Sequence, residues 1–105
     1  MDIKLSKEGI KEIIPGYFGR FIHTQNMSVV FWEATKGATV PEHYHMNEQI
    51  IQVLEGKFEF TLDNVTAIYE PCTFVVIPPN IPHSGKALTA CKLMDVFSPV
   101  RNEFK

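Results

Sequence analysis

A chain of 105 residues with a formal net charge of −2 at pH 7 buries about two thirds of its unfolded surface, enough for one hydrophobic core and too little for two. The near-neutral balance, with lysines that gather into no stripe, argues against a nucleic-acid partner. No segment shows a signal peptide's charged start and apolar middle, and none reaches the length of a membrane span. A cytoplasmic protein with no membrane partner, folded as a single domain over residues 1–105, is therefore expected.

Residues 5–14 suit a helical turn or an edge strand equally. Beyond them, short runs rich in aromatic and β-branched residues predict strands near 18–24, 28–36, 40–45, 49–55, 57–63, 65–70, 73–77 and 89–97. Glu55-Gly56-Lys57 marks a tight turn, and Pro78-Pro79-Asn80 stops the run before it. Phe31 and Trp32 are expected in the core, while Tyr17 and Arg20 could reach a polar ligand from an early strand. Such a series of strands predicts an all-β fold, a small antiparallel β-barrel, closed or nearly closed. Cys72 and Cys91 lack the C-x-x-C spacing of a thiolate metal site and are expected as reduced packing or turn residues.

Three of the four histidines form one pattern. In a strand, side chains at i and i+2 share a face, so His43 and His45 project into one space. Two imidazoles there, with donors from a neighbouring strand, make a divalent-metal site; the plainer alternative is a pair of surface histidines. His83 follows a turn stiffened by Pro78, Pro79 and Pro82, and a third ligand needs such fixed placement. His23 lies outside the pattern and is expected as a strand or surface histidine.

The run Gly37-x5-His43-x-His45-x3-Gln49-x6-Gly56 resembles the first motif of the cupins. Pro71-x-Thr73, continuing through Ile77-Pro78-Pro79-Asn80-Ile81-Pro82-His83, resembles the second. The likeness spans about residues 30 to 98. It implies a jelly-roll barrel, or double-stranded β-helix, holding one divalent transition ion (nickel, iron, manganese, cobalt or zinc) through His43, His45, Gln49 and His83. Two positions depart from the family pattern. The usual acidic ligand is Gln49, which leaves the ligand set neutral, and a usual glycine of the second motif is Cys72, which bears on a turn geometry.

In the last strand, alternation places Cys91, Leu93, Asp95 and Phe97 on one face and Lys92, Met94 and Val96 on the other. Asp95 either turns to water, pairs with Lys92 or Arg101, or faces the interior as an acid–base group. The segment Leu93-Met94-Asp95-Val96-Phe97-Ser98-Pro99-Val100-Arg101-Asn102-Glu103-Phe104 resembles the carboxyl-terminal signature of KdgF-type cupins, a family of pectin degradation. Gly56-Lys57-Phe58-Glu59-Phe60 is similar to that family too. The resemblance implies ring opening and ketonisation of 4,5-unsaturated uronates to linear keto acids, with Asp95, Phe97 and Arg101 as functional groups. Other metal-dependent cupin activities, a dioxygenase or a sugar isomerase, and a non-catalytic sugar-binding cupin remain alternatives. No helix-turn-helix segment fits in the remaining residues, so an enzyme acting on a small molecule is expected. Open edges and aromatic strands in the first 35 or so residues suggest a homodimer.

Overall fold

The computed structural model describes residues 1–105, the side chain of Lys7 aside. It consists of ten strands, β1 (Lys11–Ile14), β2 (Tyr17–His23), β3 (Ser28–Ala34), β4 (Thr39–His43), β5 (Glu48–Glu55), β6 (Phe58–Leu62), β7 (Val65–Tyr69), β8 (Phe74–Ile77), β9 (His83–Ala87) and β10 (Cys91–Ser98). Single 3-10 turns at Lys7–Gly9 and Asn102–Phe104 bracket them. The strands form a six-stranded sheet, β1-β2-β3-β10-β5-β8, and a four-stranded sheet, β4-β9-β6-β7. Every pairing is antiparallel. The expected barrel thus takes its nearly closed form, with two sheets around one interior. Among the described residues no helix is long and apolar enough to cross a membrane.

Period-two patterning builds the core. On β3, Val30, Trp32 and Ala34 point inward, and on β10 Cys91, Leu93 and Phe97 do the same. Ile51, Val53, Val75 and Ile77 complete that wall, facing Phe58, Phe60 and Ala87 of the smaller sheet. Each large side chain buried this way contributes about 1.5–3 kcal/mol. Turn chemistry sets the register. Asp63 and Asn64 both have positive φ, at 49° and 66°, the backbone of a two-residue hairpin that pairs Leu62 with Val65. At Gly56 (φ +90°) a Cβ would lie 2.4 Å from the Ala90 carbonyl oxygen, so only glycine fits there.

Three elements differ from the sequence expectation. Residues 5–14 supply both a 3-10 turn and the short edge strand β1. Strand β4 ends at His43, after a register shift between Val40 and His43, so His45 lies in the following loop rather than on the strand. Strand β9 is absent from the expected series, because its inward positions are His83, Gly85 and Ala87, which carry no apolar alternation. Its place is set by pairing with β4 and β6.

Cys72 bears on the turn where the cupin pattern has glycine. Its φ is +71°, so the glycine-type conformation is kept and an L side chain carries the strain. Replacing it relieves about 1–2 kcal/mol of that strain, against about 0.4–1 kcal/mol of unfolded-state entropy. Cys72→Gly is expected to raise stability by roughly 0.5–1 kcal/mol in urea unfolding. A loss of stability would show the turn to be held by the cysteine side chain. Both cysteines are free thiols, Cys72 exposed and Cys91 buried.

Candidate metal centre

His43 closes β4 and His83 opens β9, and the two are register partners on adjacent strands. Their ring centroids are 4.2 Å apart. His45, two residues beyond His43, brings its ring to 5.7 Å from His43 and 4.9 Å from His83. One nitrogen from each imidazole falls within 4.8 Å of the others. The loop holding His45 is pinned where the Asn80 N–H donates to the His45 carbonyl at 2.7 Å, so the proline-rich turn fixes two histidines at once.

Each ring is oriented by its own backbone. Nδ1 of His43 donates to Pro41 O at 2.9 Å, Nδ1 of His45 to Asn47 O at 3.0 Å, and Nδ1 of His83 to Ile81 O at 2.9 Å. A carbonyl oxygen can only accept, so His43 and His83 carry a proton on Nδ1, while His45 meets a second carbonyl oxygen at Nε2. Burial drives His83 down to about 4. His45 is lowered as well, first by burial and then by the Arg101 charge. The Nε2 atom of His83 is buried and has no hydrogen-bond partner among the described residues, an arrangement that costs about 1–3 kcal/mol unless something else binds there.

Gln49, facing inward from β5, completes the cluster. Its Oε1 lies 3.0 Å from His45 Nε2, and its Nε2 donates to Asp95 Oδ1 at 2.8 Å. The other oxygen of Asp95 accepts from Trp32 Nε1, also at 2.8 Å. Asp95 therefore faces the interior. It neither turns to water nor pairs with Lys92, which lies 3.7 Å from Glu55 instead. Burial pushes the Asp95 carboxyl up to about 6, while the Gln49 and Trp32 N–H groups and the Arg101 charge pull it back down.

The carboxyl-terminal tail folds back over this end of the interior. Asn47 Nδ2 donates to Pro99 O at 2.6 Å, and the Arg101 backbone N–H donates to Ser28 Oγ at 2.9 Å. His23 bonds Ser28 Oγ at 2.8 Å and Phe104 O at 3.3 Å, so this histidine clamps the tail and stands apart from the metal cluster. The Arg101 guanidinium lies against both Phe97 and Phe104, at 4.8 and 4.5 Å from their centroids, and its Nε donates to Glu103. A cavity of about 330 Å³ is bordered by His43, His83, Gln49, Asp95, Phe97 and Arg101, with Trp32, Phe58 and Phe60 among its apolar walls. Tyr17 also borders it, but its hydroxyl donates to Ala38 O at 2.8 Å. Arg20 points elsewhere, bonding Ser6 O and pairing with Glu33.

The donor set suits a divalent transition ion. It offers three converging imidazoles, the Nε2 of His83 buried and unpartnered among the described residues, and an amide oxygen 3.0 Å from the Nε2 of His45. Sequence reasoning missed Trp32 as a partner of Asp95, and Ser28, Asn47 and His23 as anchors of the tail. Trp32 could have been flagged, because alternation puts it on the same inward face as Asp95's neighbours. Ser28 and Asn47 carried no signal.

A family model of the cupin domain matches residues 30–97. No curated protein matches the chain in sequence. Among solved structures, an RmlC-like cupin from Shewanella frigidimarina is 28% identical, with a TM-score of 0.88 over 91% of this chain and 87% of its own. KdgF from Halomonas sp. is 24% identical, with a TM-score of 0.91 over 100% of both chains. A salicylate 1,2-dioxygenase from Pseudoaminobacter salicylatoxidans is 20% identical, with a TM-score of 0.78 over 84% of this chain and 26% of its own. The last two likenesses are of fold.

Proposed function

The chain belongs to the cupin domain family, and from that premise we propose that it is a metal-dependent enzyme, a single domain over residues 1–105, acting on a small carbohydrate acid. The reaction that best suits the cavity is ring opening and ketonisation of a 4,5-unsaturated uronate to a linear keto acid. One observation carries this reading: His43 and His83 of the histidine cluster, Gln49, the buried Asp95 and Arg101 all border one cavity, with His45 beside them in the cluster.

His43, His45, Gln49 and His83 would hold one divalent transition ion, which when bound supplies Lewis acidity toward substrate oxygens. The residues around it divide the remaining work. Arg101, whose Nη groups have no protein acceptor among the described residues, pairs with the substrate carboxylate. Phe97, 2% exposed and stacked beneath that guanidinium, packs on the apolar face of the sugar and excludes water. Asp95 accepts the proton of the anomeric hydroxyl as the ring C–O bond breaks, then returns it to the enol carbon as the ketone forms. The reaction is an isomerisation, so one carboxyl suffices for both transfers.

The test incubates the protein with unsaturated galacturonate or glucuronate and follows absorbance of the conjugated double bond. Loss of absorbance that a chelator abolishes is expected. A protein that holds its metal and leaves every such uronate untouched would refute the substrate class.

The same reading includes a homodimer and a cytoplasmic setting, in keeping with two free thiols. On the outer face of the six-stranded sheet, Ile22, Val29, Val96, Ile50 and Val76 lie side by side across β2, β3, β10, β5 and β8. Ile50 and Val76 are 40% and 55% exposed, and a continuous apolar row of this kind favours self-association about a two-fold axis. Light scattering at micromolar concentration should give twice the chain mass; a monomer there would contradict it.

A further inference from the structure

The orientation of the Gln49 amide is set from behind, by Asp95. His45 meets a carbonyl oxygen at each ring nitrogen, and at Nδ1 that oxygen belongs to Asn47, 3.0 Å away. At Nε2 it is the amide oxygen of Gln49, also at 3.0 Å. Turning the amide over would give His45 a donor. What prevents the turn is Asp95, whose Oδ1 accepts from Gln49 Nε2 at 2.8 Å and whose Oδ2 accepts from Trp32 Nε1 at 2.8 Å. Indole N–H is a donor only, and a carboxylate held between two donors accepts from both. A flipped amide would set its oxygen against that carboxylate in a site where Gln49 and Asp95 are 5% and 6% exposed.

We propose that Asp95 is a positioning residue for the fourth metal ligand: it holds the Gln49 amide with its oxygen toward the histidines and supplies, one bond behind the ligand, the negative charge that an acidic ligand would bring. This rests on the metal-centre reading above and deepens it. It also accounts for an amide at position 49. A glutamate there would put two carboxylates within hydrogen-bond distance of each other, so one charge is kept and moved back to Asp95. The pair has a complementary form with the polarity reversed. When Gln49→Glu is combined with Asp95→Asn, the asparagine N–H would donate to the glutamate while its oxygen still accepted from Trp32.

The experiment measures metal affinity by competition with a chromophoric chelator, using cobalt or zinc and no substrate. Wild type is compared with Asp95→Asn and with the double variant Gln49→Glu, Asp95→Asn. Asp95→Asn cannot accept from Trp32 and Gln49 together, and affinity is expected to fall about 10–100-fold, the usual loss for an outer partner of a metal ligand. The double variant is expected to recover affinity to near the wild-type value. If Asp95→Asn alone does not fold, recovery of folded, metal-binding protein on adding Gln49→Glu reads the same coupling. Wild-type affinity in Asp95→Asn, or a double variant that binds no better than the single one, overturns the proposal while leaving the metal centre standing. A wild type that binds no metal overturns both.

Discussion

Asp95→Asn, assayed at saturating metal, is expected to turn over an unsaturated uronate about 10²–10⁴-fold more slowly than wild type, the usual loss when a general acid–base group is removed. Saturating metal matters because the same carboxyl braces Gln49. Without it, a loss of metal would be mistaken for a loss of proton transfer. The carboxyl borders the cavity, and each of its oxygens is held by a single N–H. An asparagine side chain could occupy the same space but could not take up the hydroxyl proton. Arg101→Ala provides the contrast. Losing a charge-assisted bond to a carboxylate costs about 1.5–3 kcal/mol of binding, so KM should rise roughly 10–100-fold with kcat changed far less. An Asp95→Asn enzyme that runs at the wild-type rate with metal bound would reduce Asp95 to its bracing role.

The carboxyl-terminal strand shows why part of this site was legible in the sequence. Alternation alone placed Asp95 and Phe97 on the face with Leu93 and Cys91, and all four are buried there. Period two is a property of the backbone, so it survives whatever chemistry a position carries. The resemblance of the histidine pattern to the cupin motifs likewise drew His43, His45 and His83 together. The same logic failed at β9, where the inward residues are a histidine, a glycine and an alanine. Gly85 must stay small because a Cβ would lie 2.4 Å from the Phe58 ring, and sequence offers no sign of a neighbour that arrives from position 58. The anchoring of the tail was hidden for a similar reason. Ser28 and Asn47 act through contacts 73 and 52 residues away, and nothing local distinguishes them from ordinary polar residues. Asp95 itself was open between water, an ion pair and the interior. Only the meeting of β3, β5 and β10 supplies the two N–H donors that make an interior carboxyl affordable.

Removing the metal is expected to have the largest effect of all, on activity and on the fold together. The purified protein should carry about one divalent transition ion per chain, and a chelator should abolish turnover. Stability should respond without any substrate. A ligand that binds only the native state at 100 times its Kd adds about 2.7 kcal/mol. In a domain of this size that corresponds to a rise in Tm of roughly 10–20 °C. His83→Ala separates the causes. His83 is 3% exposed and its Nε2 has no partner among the described residues, so the substitution removes one of the proposed ligands together with its buried, unpartnered nitrogen. The variant should lose at least about 10²-fold in metal affinity, more than the loss of an outer partner. Its Tm should no longer move when metal is added, while the wild-type Tm does. If the wild type holds no metal after reconstitution, or its Tm is indifferent to cobalt, zinc, nickel, manganese and iron alike, the converging imidazoles are a packing arrangement and not a metal centre.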